Sequence, residues 1–300
     1  MIASALLASL ERQHFNPAEN IHANQNRFGI DLHLCPADAD DSDAEHSFHA
    51  CERSRGVGQI GDLPPPLPIC GYRDSFGNWC SRIVAPVGET RITTDAVIND
   101  EGLNDIVAAN AKQTPVENLP DETRMFLLGS RYCETERLLD IAWQLFGNAP
   151  TGWQRVQAIC DFVHQHLELG YQNARASKTA YEAFQERTGV CRDFAHLAII
   201  FCRCMNIPAR CCTGYLGDIG IPPPYAPMDF AGWFEVWLDG RWYTFDARSN
   251  VPRIGRMLMA RGRDAADVAI STTFGPNVLK SFKVWTDELI EEQPSRRMAR

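Results

Sequence analysis

The sequence of 300 residues has neither an excess of positive charge nor a long apolar run. It carries 29 Lys and Arg residues against 38 Asp and Glu residues, which gives a formal net charge of −9. An acidic surface disfavours nucleic acid and anionic membrane as main partners. No stretch reaches the roughly 18 consecutive apolar residues that a membrane-spanning helix needs. We therefore expect no nucleic-acid partner and no membrane partner.

The sequence also lacks a clear secretion signal and a disulfide framework. Residues 2–10 are apolar but short, have no basic flank, and lead directly into Glu11 and Arg12, which makes a poor signal peptide. The 11 cysteines are an odd number without the spacing of a small secreted domain. These features predict a cytoplasmic protein with mostly reduced thiols, most of them small buried hydrophobic residues.

Metal and cofactor motifs are missing as well. No loop of Asp, Asn and Gly matches an EF-hand, and the histidines and cysteines of residues 33–51 match no zinc-binding spacing. Cys202 and Cys204 would lie about 200° apart around a helix, whereas Cys211 and Cys212 would point to opposite faces of a strand. Core packing is therefore favoured over a zinc cluster, and we expect neither a metal nor a cofactor.

Composition divides the chain into four parts. Residues 1–68 show no sustained period, contain an acidic cluster and end in a proline-rich stretch, which predicts an atypical, poorly ordered segment. Residues 69–118 predict a partial β-rich domain, 119–290 the core, and 291–300 a tail. The alternative is that the first residues supply a missing edge to the small sheet that contains 72–98.

Hydrophobic patterns within the predicted core are clear. Three segments repeat apolar residues at steps of three or four, which predicts helices. These helical segments are residues 134–146, 152–169 and 191–206. Three further segments predict strands, and Asp239-Gly240 between the last two is a strong hairpin signal. The strand segments are residues 209–216, 229–238 and 241–247.

Cys191 is the candidate nucleophile. It follows Gly189-Val190 and opens the predicted helix 191–206. Unpaired N–H groups and the dipole at a helix N-terminus favour the thiolate over the thiol unless burial outweighs them. The same N–H groups could stabilise an oxyanion. The alternative is that Cys191 is a small core residue, and position alone does not choose between the two.

A thiol nucleophile also needs a base and a group that orients the base. Asp246 ends the second strand of the predicted hairpin and is the candidate for orienting an imidazole. Its alternative role is that of a turn carboxylate, or of an ion-pair partner for Arg248 or Arg253. The residues themselves do not decide between these roles.

Residues 179–216 and the hairpin that follows resemble the core of the transglutaminase-like superfamily, including its bacterial cysteine-protease-like members. The shared pattern contains Gly-Val-Cys, an apolar helix, Ile-Pro-Ala-Arg, a Gly-Tyr strand, a Trp-x-Glu-Val strand and Trp-x-x-x-Asp. The resemblance implies an α+β, papain-like core in which the nucleophile helix packs on an antiparallel sheet, preceded by a partial β-rich segment. It also implies cysteine-dependent hydrolysis or acyl transfer at a peptide or protein amide, with Cys191 and Asp246 as catalytic residues.

One departure from the family pattern affects the chemistry. The family's catalytic His falls two residues before the hairpin Trp, and this position is Ala231. An alanine cannot transfer a proton, and a general base contributes about 10²–10⁴-fold to the rate. His196 would lie about 140° around the helix from Cys191, which predicts a core role. His164 and His166 face different ways on their helix.

Two hypotheses follow from the resemblance and the departure. The first is an enzyme that acts through Cys191 with Asp246 as the surviving orienting group. The second is a catalytically inactive relative that binds a peptide or small amide ligand in the former active-site groove. Trp233, Trp237, Trp242 and Tyr243 are the aromatic candidates for lining such a groove, although core packing is expected for at least half of them.

Overall fold

The computed structural model describes residues 24–36, 46–50, 68–219 and 229–289. Its helices are α1 (Asp121–Arg124), α2 (Thr135–Phe146), α3 (Trp153–His166), α4 (Ala180–Glu186) and α5 (Cys191–Cys204). Its strands are β1 (Asn24–Pro36), β2 (His46–Ala50), β3 (Cys70–Arg73), β4 (Trp79–Ala85), β5 (Thr90–Asp100), β6 (Glu168–Leu169), β7 (Thr188–Gly189), β8 (Ala209–Leu216), β9 (Ala231–Leu238), β10 (Arg241–Phe245), β11 (Arg256–Gly262), β12 (Ser271–Phe274) and β13 (Asn277–Leu289). The mixture of helices and sheets is the expected α+β architecture.

The helices begin and end where local signals place them. Helix α4 starts at a capping box in which the Thr179 hydroxyl accepts from the Glu182 N–H and the Glu182 carboxylate accepts from the Thr179 N–H. Helix α5 is followed by Asn206 in the left-handed region (φ 61°) and then by Pro208, which cannot continue a helix. Every residue of α5 except Arg192 is buried, so this helix is the centre of the core.

The sheet that supports α5 has the strand order β10–β9–β8–β11, with antiparallel neighbours throughout. Strands β9 and β10 form a hairpin whose turn residues Asp239 and Gly240 both have positive φ, 49° and 83°. Positive φ at both positions is the requirement of a type I′ turn. The predicted helix on an antiparallel sheet is therefore confirmed.

The first 68 residues differ from the sequence-based prediction. Strand β1 lies between β13 and β5, and β2 lies between β12 and β4. Two stretches predicted to be poorly ordered are thus paired strands, and β1 occupies the centre of its sheet rather than the edge. The predicted acidic cluster and the proline-rich stretch fall largely in 37–45 and 51–67, outside the described residues.

The C-terminal strands also differ from the predicted division of the chain. Strands β12 and β13 belong by sequence to the segment 119–290, but they pair with β2 and β1. Their partners lie far away in the sequence, and a periodicity within a short window carries no information about such pairing. The predicted tail, 291–300, lies outside the described residues. None of the helices in the described ranges combines the length and apolar character needed to cross a bilayer.

Candidate active site

Cys191 occupies the first position of α5, as the sequence predicts. Its thiol contacts the start of β9, where the Sγ atom lies 3.7 Å from the carbonyl oxygen of Phe230 and the N–H of Gly232 donates towards the sulfur. The residue is only 8% exposed. The polar partners of the thiol in the described structure are therefore backbone groups of a neighbouring strand.

Gly232 allows this close approach. A Cβ atom at this position would lie 3.3 Å from the Cα atom of Arg192 and 3.6 Å from the carbonyl carbon of Cys191. The first of these distances is tighter than most contacts of a Cβ atom. The absence of a side chain at Gly232 thus lets the start of β9 lie directly against the first turn of α5.

Burial dominates the ionisation of Cys191. It raises the pKa of the thiol to about 11, although the Arg248 guanidinium and the Gly232 N–H lower it in part. The carboxylates of Asp229 and Asp246 raise the pKa further. The sequence predicts an acidic thiol unless burial outweighs the helix N-terminus, and at Cys191 the loss of water around the sulfur outweighs it.

Ala231 lies between the two residues whose backbone contacts the thiol, and its side chain has no group that could take a proton. It pairs with Gly214 of β8 and packs with Cys212, Leu216 and Trp233. Gly232 faces α5, so the alternation of the strand places Ala231 on the opposite face of the sheet. The two backbone groups that contact the Cys191 sulfur belong to the residues on either side of Ala231.

Asp246 is held by three hydrogen bonds. Its Oδ1 atom accepts from the N–H groups of Arg248 and Ser249, both at 3.0 Å, and its Oδ2 atom accepts from Nη2 of Arg256 at 3.0 Å. The Asp246 side chain is only 6% exposed. Asp246 thus serves as a turn carboxylate, which is one of the alternative roles considered from the sequence. Its ion-pair partner is Arg256 rather than the side chain of Arg248 or Arg253.

Arg256 joins Asp246 to a second carboxylate. Its Nε atom donates to Asp105 Oδ2 at 2.8 Å, and its guanidinium lies 5.1 Å from the ring centroid of Trp233. Trp233 lies on the same face of the sheet as Ala231. The face of the sheet that carries Ala231 therefore also carries the Asp246–Arg256 pair.

The three histidine rings that the structure describes are hydrogen-bonded away from Cys191. His164 Nδ1 bonds the carbonyl of Arg248 at 2.9 Å, and His166 Nε2 bonds the carbonyl of Phe184 at 2.8 Å. His196 is fully buried and accepts from the Ala265 N–H at 3.0 Å, and burial lowers its pKa. The predicted core role of His196 is confirmed.

Tyr171, which no sequence pattern indicated, is affected electrostatically by the site. Burial raises its pKa, the neighbouring Cys191 raises it further, and Arg248 lowers it. The parallel pairing of β6 with β7 brings this region to the start of α5, and the Gly170 N–H donates to the Gly189 carbonyl at 3.0 Å. No periodic pattern marks the short 3₁₀ turn that contains Tyr171, so the sequence held no signal for it.

The aromatic residues considered for a groove pack within the protein. Trp233 and Tyr243 are buried, Tyr243 packs edge-on against Trp153 at 5.5 Å, and Trp237 packs edge-on against Trp242 at 5.5 Å. Core packing is therefore the role that these contacts indicate.

Cys202 and Cys204 are buried, as expected for core thiols. Burial raises the pKa of both, that of Cys204 to about 12. Because a metal is bound by the thiolate, these protonated thiols are suited to core packing.

A thiol at the first turn of a buried helix, beside an antiparallel sheet, defines an α+β protein with a cysteine-centred site. Residues 140–247 match the family model described as the transglutaminase-like superfamily. A crystal structure named "Putative Cysteine Protease" from Cytophaga hutchinsonii is 27% identical, with a TM-score of 0.69 over 91% of this chain and 93% of that chain. Over residues 140–247, about a third of its length, the chain is similar to the transglutaminase-like superfamily.

Two further proteins match this chain, one over a shorter segment and the other with a lower sequence identity. An uncharacterized protein of Mycobacterium leprae (strain TN) is 35% identical over 92 residues, which are 29% of this chain and 32% of that protein. The periplasmic domain of TgpA from Pseudomonas aeruginosa is 15% identical and covers 83% of this chain and 81% of its own, with a TM-score of 0.39. The first match spans about a third of its relative, and the second is too distant to support inference.

Proposed function

We propose that this protein binds a peptide or small amide ligand at Cys191 and turns it over slowly or not at all. The main support for this proposal is the environment of the Cys191 sulfur. Its polar partners among the described residues are the Phe230 carbonyl and the Gly232 N–H. None of the described imidazole rings is a hydrogen-bond partner of the Cys191 sulfur, and each bonds a backbone group of another residue.

The ionisation of the Cys191 thiol also favours binding over turnover. With a pKa of about 11, only about one thiol in 10⁴ is ionised at neutral pH. The thiolate is the nucleophilic form of cysteine, and a missing general base costs about a further 10²–10⁴-fold. Together these two factors favour binding over turnover.

A second candidate is cysteine-dependent hydrolysis or acyl transfer at a peptide or protein amide. It is supported by the place of Cys191 at the N-terminus of α5, where backbone N–H groups can stabilise an oxyanion. The likeness to the Cytophaga hutchinsonii protein named as a cysteine protease also favours it. In this function Cys191 would be the nucleophile, water would be the base, and Asp246 would be an orienting group.

The experiment measures binding and turnover on the same full-length protein. Short glutamine-containing peptides are incubated with it, with and without an added amine, and products are followed by mass spectrometry. Protection of Cys191 from iodoacetamide by the same peptides reports binding, with the exposed thiol of Cys70 as internal reference.

We expect concentration-dependent protection of Cys191 with no product above that of the Cys191→Ala variant. A Cys191-dependent product would replace the binding proposal with the enzymatic candidate. If no peptide protects Cys191, the binding proposal fails.

A further inference from the structure

The Arg248 guanidinium forms neither an ion pair nor a hydrogen bond within the described structure, whereas Arg253, which also lacks an ion pair, donates to the Gly217 carbonyl at 2.9 Å. Arg210 bonds Glu235 at 2.6 Å, and Arg256 bonds Asp246 at 3.0 Å. The ion pairs within 4.0 Å that the described residues form do not include Arg248. A half-buried cation without a partner is an open binding position for an anion.

The backbone of Arg248 is fixed on both sides. Its N–H donates to Asp246 Oδ1 at 3.0 Å, and its carbonyl oxygen is bonded by His164 Nδ1 at 2.9 Å. The N–H of Asn250 donates to the Asp246 carbonyl at 2.7 Å and closes the same turn. The guanidinium therefore projects from a fixed backbone, so binding has to order only the side chain and not the turn.

Strand β10 ends opposite Phe234, so the turn that carries Arg248 leaves the sheet beside the start of β9, where Gly232 contacts α5. From this turn the Arg248 guanidinium acts electrostatically on Cys191 and on Asp229. The carboxylate of Asp229 is directed to the adjacent backbone, where Oδ1 accepts from the Phe230 N–H at 2.7 Å. The cluster thus combines a neutral thiol, the Asp229 carboxylate and a guanidinium without an ion pair.

We propose that Arg248 recognises a carboxylate on the ligand whose amide lies at Cys191. This inference rests on the proposed function and specifies the ligand as an acidic peptide or another amide that carries a nearby carboxylate. The carboxylate can come from an Asp or Glu side chain or from a free C-terminus, since both present the same two oxygens to a guanidinium.

The first test compares two alkylating reagents that differ in charge. Iodoacetate and iodoacetamide both form a bond between Sγ and CH₂ with loss of iodide, but only iodoacetate carries a carboxylate. The iodoacetate-to-iodoacetamide rate ratio at Cys191, divided by the same ratio at exposed Cys70, cancels differences in thiolate fraction. We expect a normalised ratio of at least about threefold at low salt, falling as salt screens the charge.

Three variants show whether Arg248 causes this preference. The normalised ratio should fall to about one in Arg248→Met and be largely retained in Arg248→Lys. It should be unchanged in Arg124→Met, which removes a surface arginine that pairs with Asp121 within its own short helix. A ratio near one in the unmodified protein, or a high ratio that survives in Arg248→Met, would overturn the inference.

The second test uses three peptides as protectants of Cys191 against iodoacetamide. They are N-acetyl-Gln-Gly amide, the corresponding free acid, and N-acetyl-Glu-Gln amide. We expect at least one acidic peptide to protect at a several-fold lower concentration than the neutral peptide, and Arg248→Met to abolish the difference. The better acidic peptide identifies the source of the carboxylate.

The outcomes separate the two proposals. Equal protection by the neutral and acidic peptides refutes carboxylate recognition but leaves ligand binding at Cys191 intact. Absence of protection by all three peptides refutes the proposed function itself.

Discussion

The two faces of the sheet β10–β9–β8–β11 are held together by different forces. The face towards α5 is apolar and contributes Phe234, Val236 and Leu238 to the main core. The opposite face carries buried ion pairs, among them Glu235 with Arg210 and Asp246 with Arg256. Residues that alternate along β9 thus belong to two environments with opposite physical chemistry.

The candidate site lies where these two environments meet, at the start of β9. Cys191 reaches it from the helix side, and its sulfur contacts the backbone on both sides of Ala231. Asp246 follows Phe245, which pairs with Phe234 of the apolar face, so its side chain points to the polar face. The helix side carries the candidate nucleophile Cys191, whereas the polar side carries Ala231 and the candidate orienting group Asp246.

The largest effect is expected on the polar face. Arg256→Met leaves the carboxylates of Asp105 and Asp246, whose side chains are 16% and 6% exposed, without their cation. Breaking a buried pair by removing one partner costs about 3–5 kcal/mol of unfolding free energy. Urea denaturation measures this loss, and Arg241→Met at an exposed position of β10 is the control. A loss below about 1 kcal/mol would show that the ion pairs do not hold this face together.

A somewhat smaller loss is expected on the apolar face. Leu238 is fully buried, and Leu238→Ala should cost roughly 2–5 kcal/mol because a cavity remains in the core. The control is Leu139→Ala on α2, where the leucine is 44% exposed. Urea denaturation of both variants at two salt concentrations sharpens the comparison, since the loss from Leu238→Ala should not depend on ionic strength. Equal losses in the two leucine variants would contradict this account.

The thiol of Cys191 should show the effect of its burial in a pH profile. Because its pKa is about 11, the alkylation rate should rise tenfold per pH unit from pH 7 to 9, about a hundredfold in total. Quantitative peptide mapping after iodoacetamide treatment measures the rate, with N-acetylcysteine as the reference thiol. A plateau for Cys191 below the pH at which the reference levels off would indicate a poised nucleophile instead.

The smallest expected effect is a gain of catalytic activity from a substitution at position 231, where the two faces meet. An imidazole introduced by Ala231→His would share the face of Asp246 and project from the strand position whose two neighbours contact Cys191 through their backbone. We expect at least about a tenfold increase in hydrolysis of an activated ester, equivalent to about 1.4 kcal/mol of barrier. Ala231→Asn, which adds a polar group without a base, should not increase the rate. The absence of a gain in a folded Ala231→His protein would mean that more than one residue of the machinery is lost.

The central elements could be predicted from local sequence patterns. The segments predicted for α2, α3, α5 and the β9–β10 hairpin agree with the observed bounds to within a few residues. Apolar spacing, a capping residue or a turn dipeptide specifies each of them locally. The pairing of β1 between β13 and β5 could not be predicted, because each strand is stabilised by a partner that is distant in the chain.

The candidate site was predictable in its residues but not in their environment. The position of Cys191 at the start of α5 follows from sequence, and the sequence leaves the role of Asp246 open between orienting group, turn carboxylate and ion-pair partner. The choice of Arg256 as ion-pair partner and the proximity of Tyr171 depend on how β11 and the β6–β7 pair are placed. Burial likewise depends on packing, and packing decides that it outweighs the helix N-terminus in the pKa of Cys191.

The sequence by itself determined the α+β core, the position of Cys191 at a helix N-terminus and the alanine at position 231. These features depend on residue identity and on spacing along one segment, which the chain carries before it folds. The tertiary structure decided that the Cys191 thiol is desolvated, that Asp246 is paired with Arg256, and that Arg248 remains without a carboxylate partner among the described residues. Those features depend on the distances between segments that are far apart in the sequence, and only packing sets these distances. Electrostatic energies change steeply with distance and with loss of water.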